Sequence, residues 1–171
     1  MEIETFLLAE HGWVPNNPKL PVILYRRALK AMSLEQTATQ FEYLFQQHGW
    51  PPQWRDGIYD YHHYHSTAHE VLGVASGTAT LVIGGPEGRA LEVAAGDVLL
   101  LPVGTGHCAQ KCSDDFLVVG AYPVGQQWHI RRDAPTPEDR ERMANLAFPS
   151  ADPVRGLDGP LSHHWISSAA I

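Results

Sequence analysis

Between Ile58 and Tyr122 the chain is a succession of short apolar runs cut by glycines at 73, 77, 84, 85, 88, 96, 104 and 106. Short strands at this spacing close on themselves as an all-β sandwich or barrel. With 171 residues, 44% of them hydrophobic and 18% charged, the chain has the material for one such domain with small appendages. The 12 basic and 19 acidic residues leave a formal charge of −7, which repels phosphate backbones and anionic membranes. Neither nucleic acid nor a membrane is expected as a partner.

The segments around the barrel read differently. Residues 1–56 form an N-terminal arm and a helix. Phe6 to Ala9 and Val22 to Tyr25 are two short apolar pieces separated by the turn signal Pro15-Asn16-Asn17-Pro18. Ser33 and Gln36 have the spacing of a capping box, and Leu34, Ala38, Phe41, Leu44 and Phe45 recur at helical intervals, so a helix is expected over 34–48. Residues 57–123 make the barrel core. In 124–171, Thr136-Pro137-Glu138-Asp139 starts a second helix running to about Ala147, and an extended tail follows Phe148. The acidic start lacks a secretory signal's basic region, so the cytoplasm is the expected location. Cys108 and Cys112, four apart in one strand, are too distant for a disulfide and are expected as reduced, small hydrophobic side chains. Gly84 to Gly88 is expected to be a hairpin loop and no phosphate cradle, since no helix follows it.

The chemistry is concentrated in histidines. A strand over Ile58 to His65 alternates faces, which puts Tyr59, Tyr61, His63 and His65 on one side. On the next strand Glu70 and Leu72 share a face, with His69 opposite. A third strand, Val98 to Leu101, ends in Pro102-Val103-Gly104-Thr105-Gly106 and delivers His107. Three imidazoles and one carboxylate suit a divalent transition metal and leave open positions on it. By parity His62 and His69 fall on the other face, as packing or surface residues.

These intervals resemble those of the cupin superfamily. Gly57, His63, His65, Glu70 and Gly77 fit the first cupin motif at every position. Gly96, Pro102, Gly104 and His107 fit the second, with Lys111 in place of its terminal Asn. The matched stretch, residues 57 to 111, is about a third of the chain, and its flanks look like those of single-domain bacterial cupins of unassigned function. The resemblance implies an all-β, jelly-roll-type cupin barrel (a double-stranded β-helix) with an N-terminal and a short C-terminal helix. It implies one divalent metal, Fe or Mn before Zn or Ni, held by His63, His65, Glu70 and His107 and open to a small molecule.

The function expected on that basis is an enzyme acting on a small polar or carboxylate metabolite. Dioxygenase chemistry comes first, isomerase or decarboxylase chemistry next, and a non-enzymatic ligand-binding module is the alternative. Glu70 and Tyr61 are the catalytic candidates. Tyr59, Tyr61 and Leu72 are expected to line the pocket, and Lys111, sharing parity with His107, is placed to meet an anionic ligand. A homodimer is expected, because the strands of the arm lack an obvious partner inside one small barrel.

Overall fold

The computed structural model describes residues 1–165. In chain order the elements are β1 (Glu2–Phe6), β2 (Val22–Arg26), α1 (Leu34–Gln47), β3 (Pro52–Asp56), β4 (Tyr64–His65), β5 (Glu70–Ser76) and β6 (Thr78–Ile83). They continue as β7 (Arg89–Ala94), β8 (Val98–Leu101), β9 (His107–Cys112), β10 (Leu117–Ala121), β11 (Ile130–Arg131), α2 (Pro137–Ala144) and α3 (Pro160–His164). Both longer helices start at the expected caps. Ser33 and Gln36 bond reciprocally at the start of α1, and Thr136 and Asp139 do so ahead of Pro137.

A six-stranded sheet, β1-β2-β8-β5-β10-β3, faces a three-stranded sheet, β7-β6-β9, and the two-stranded pair β11-β4 stands beside them. Strand alternation on the larger sheet separates two cores. Leu24, Leu72, Val74, Leu99 and Val118 point inward against Leu81, Ile83, Leu91 and Val93 of the smaller sheet, filling the barrel. Their neighbours Ile23, Tyr25, Val71, Leu100 and Val119 point outward and meet Phe41 and Phe45 of α1. A sheet covered on both faces needs apolar residues at every position, which is why β5 and β8 are buried throughout. Gly96 turns the chain into β8 at φ 98°, where a Cβ would also overlap the Leu29 carbonyl.

The structure departs from the expected pattern in four places. Residues 58–62 are irregular, His63 makes an isolated bridge to His107, and only Tyr64–His65 of the expected long strand forms a strand element. The first arm strand lies earlier than expected, at Glu2–Phe6, and pairs along its length with β2, which in turn joins β8. Cys112 is exposed, so only Cys108 is a buried thiol. The segment after Phe148 is not extended up to the last described residue. It folds back through a bridge between Asp152 and Gly156 and through α3, and it places Val154, Leu161 and Trp165 on the outer core. The expected tail beyond 165 lies outside the described residues. Among the described residues no helix is long and apolar enough to cross a membrane.

Candidate metal centre

Backbone pairing, more than strand parity, assembles the histidines. The His63 and His107 backbones bond to each other in both directions, at 3.2 and 2.9 Å, and bring the two rings to 4.1 Å. His65 follows in β4, paired with Ile130. One ring nitrogen from each of His63, His65 and His107 lies within 4.8 Å of the other two, and all three side chains are buried.

The outer nitrogen of every ring in this group faces a backbone carbonyl. His63 Nδ1 lies 3.0 Å from Tyr61 O, His65 Nδ1 3.2 Å from His129 O and His107 Nδ1 3.0 Å from Thr105 O. A carbonyl only accepts, so each Nδ1 carries the proton and donates it. In the neutral ring that leaves each Nε2 as a lone pair. Glu70 Oε2 sits 3.1 Å from His65 Nε2, and Glu70 Oε1 sits 3.0 Å from His107 Nε2. Oε1 is buried and makes no hydrogen bond. Neutral imidazole lone pairs set against a carboxylate are unfavourable unless a positive charge lies among them. A divalent cation coordinated by His63, His65, His107 and Glu70 meets that requirement, and the donor set suits Fe, Mn, Zn or Ni.

The carboxylate and the rings also favour each other's charged forms. Burial pushes the Glu70 carboxyl up, but the facing His65 and His107 rings outweigh it and hold it well below the usual range. Burial pushes His65 down, and Glu70 reverses that shift. His63 is lowered to about 3, by burial and then by His107.

Sequence reading did not single out Tyr122, Trp54 or Trp128 at this site. Tyr122 Oη donates to Glu70 Oε2 at 2.7 Å and accepts from Trp54 Nε1 at 2.9 Å. Burial and the facing carboxylate hold the Tyr122 hydroxyl protonated. Trp54 lies flat across Gly120, where a Cβ would overlap its indole. Tyr122 was within reach of parity, since it follows inward-facing Val118 and Gly120 on the strand beside Glu70, whereas Trp128 sits on a loop that carries no periodic signal.

A cavity of about 390 Å³ opens onto the histidines, and Tyr59 and Leu72 line it as expected. Two expected pocket residues are not in its lining. Tyr61 stacks on Tyr59 at 4.7 Å and meets the edge of His63, with Arg132 against its ring. Lys111 is exposed and lines a separate groove with Arg26 and Asp97, because β9 carries it out of the barrel at a register shift opposite β6.

His69 is buried away from the cluster, accepting from Val103 N at 3.0 Å, and burial lowers it to about 3. The unfolded chain therefore takes up this proton first. Stability from His69 is complete above about pH 6.5 and is lost as pH falls toward 3, by up to about 1.4 kcal/mol per pH unit. His69→Gln, which keeps an acceptor for Val103, is expected to flatten the acid limb of the stability profile of the metal-free protein. Denaturant titrations between pH 7 and 4 measure this, and an unchanged slope would refute it.

No family model matches the chain. Over 167 residues it is 34% identical to the uncharacterised protein YjlB of Bacillus subtilis, covering 96% of this chain and 98% of that protein. Among solved structures it is similar to acireductone dioxygenase from Bacillus anthracis with a cadmium ion in its active centre, at TM-score 0.44 and 15% identity, over 65% of this chain and 83% of that one. It is also similar to the oxalate decarboxylase OxdC of Bacillus subtilis, at TM-score 0.36 and 18% identity, over 67% of this chain and 24% of that chain. The chain thus spans about a quarter of the decarboxylase.

Proposed function

The chain belongs to the family of Bacillus subtilis YjlB, and from that premise we propose that it is a cupin and a metal-dependent enzyme acting on a small molecule, of dioxygenase type before isomerase or decarboxylase. The observation that carries the reading is the set of three Nδ1 to carbonyl contacts, which turn three Nε2 atoms toward one another beside a buried carboxylate. His63, His65, Glu70 and His107 would hold one divalent ion per chain, Fe or Mn before Zn or Ni. Such an ion supplies a Lewis acid or an oxygen-binding centre. The chain's own residues do the rest. The backbone carbonyls fix the rings, Tyr122 orients Glu70, and the cavity walls limit what reaches the centre. A ligand-binding module without turnover is the second reading. It is favoured by the position of Tyr61, the expected catalytic tyrosine, which is not part of the cavity lining. We place the protein in the cytoplasm as a homodimer, with the outer edge of β1 available for pairing.

The test is metal analysis of untagged protein, followed by oxygen-uptake assays of the Fe(II)-loaded chain against small hydroxy, keto and diketo compounds. Mn(II)- and Zn(II)-loaded samples are assayed for product formation, and light scattering reads the oligomeric state. Metal binding without turnover across that screen would favour the binding module, and absence of metal would overturn both readings. Once a substrate is found, Glu70→Gln is expected to lower turnover while keeping more metal than any histidine loss. The amide retains an oxygen beside the ion but removes the negative charge. Unchanged turnover in this variant would remove the carboxylate from the chemistry.

A further inference from the structure

The cavity walls say what kind of molecule the centre takes. Trp54, Tyr59, Tyr122 and Trp128 supply aromatic surface. Tyr122 and Trp128 are parallel within 1° at 4.5 Å, and Trp54 is fixed by Gly120 beneath it and by its hydrogen bond to Tyr122. The walls are therefore flat and held in place before any ligand arrives, which lowers the ordering cost of binding a flat molecule.

The charge of the cavity points the same way. Among the described residues its lining includes Asp56 and Glu70 but no lysine or arginine. Arg132 lies against the Tyr61 ring, outside the lining, and Lys111 lines another groove. A divalent ion beside one carboxylate keeps a single net positive charge. A dianion brought there would leave the centre negative, in a buried site, with Asp56 near its path and no cation to pair with.

We propose that the ligand of this site is a small, planar molecule, carrying at most one negative charge when bound, that lies against the aromatic walls and offers adjacent oxygens to the ion, and is not a carboxylate dianion. The orientation toward the ion rests on the metal-centre reading above. The aromatic contact does not.

Catechol and oxalate separate the alternatives: both chelate through oxygens on neighbouring carbons, oxalate as a dianion without an aromatic face, catechol with one and as a monoanion once it has given one proton to the buffer. The full chain, Zn(II)-loaded and metal-free, is titrated with each, using calorimetry and the fluorescence of the cavity tryptophans. Catechol is expected to bind the Zn(II) form about tenfold more tightly than oxalate, a difference the size of one good aromatic contact. Trp128→Ala is expected to weaken catechol about fivefold or more in both forms, with zinc content and oxalate affinity unchanged. Tyr59→Ala, at a half-exposed ring, is the second variant and is expected to act in the same direction. Oxalate binding as tightly as catechol, or catechol affinity indifferent to both substitutions, overturns the proposal while leaving the metal reading intact. If the chain takes up no zinc, the metal reading fails. Catechol binding that Trp128→Ala weakens in the metal-free chain would then still uphold the aromatic contact, and no catechol binding would refute it.

Discussion

Replacing His63 and His65 together by alanine is expected to take metal content from about one ion per chain to background while leaving a folded, β-rich protein. The two rings lie in and beside the short pair β4-β11, at the barrel mouth, and the six-stranded sheet does not depend on them. Their loss leaves His107 and Glu70, two donors where a stable site needs three or four. Losing even an indirect partner of a metal ligand costs about 10- to 100-fold in affinity, so the loss of two direct ligands should exceed that range. Elemental analysis of untagged protein and circular dichroism of the same sample decide the matter. Stoichiometric metal in the double variant would sink the assignment.

Asp152→Ala is expected to be the most damaging single change outside the site. This carboxylate is fully buried. It accepts from the Tyr25 hydroxyl at 2.5 Å, from the backbone N–H groups of Val154 and Arg155 at 2.8 Å each, and from that of Leu161 at 2.9 Å. Alanine leaves those donors without partners inside the outer core, and each orphaned buried donor costs about 1–3 kcal/mol. Partial relaxation brings the total to about 3–5 kcal/mol, or roughly 10 °C in melting temperature for a domain of this size. Tyr25→Phe removes one donor and leaves the other three bonds, so it should cost about 1 kcal/mol. A melting temperature for Asp152→Ala within about 2 °C of the parent would show that the segment after Phe148 does not stabilise the barrel.

Asp152 also marks where sequence reading stops. Its neighbourhood, rich in proline, glycine and serine, has no periodicity and looked like an extended tail, yet its function is a contact with Tyr25 far away in the chain. The placement of the His63 and His65 rings is likewise tertiary. The strand that alternation predicts from Ile58 does not form, and it is the reciprocal pairing of His63 with His107 that sets the rings together. Lys111 shows the converse error. Parity gave it the face of His107, but the register shift in β9 turned that end of the strand away from the cavity.

What the sequence determined by itself is local. The capping residues began α1 and α2, the glycines cut the barrel into short strands, and the intervals among His63, His65, Glu70 and His107 identified the candidate ligands. Each of these depends on backbone geometry over a few residues, which a spacing can encode. Only the tertiary structure decided that Tyr122 holds Glu70, that Trp54 and Trp128 wall the cavity, that no lysine or arginine lines it among the described residues, and that Asp152 ties the C-terminal segment to the sheet. A spacing shows which way a side chain points along its own element. What it meets there is set by strand order and register across the barrel, between residues that sequence separation leaves unrelated.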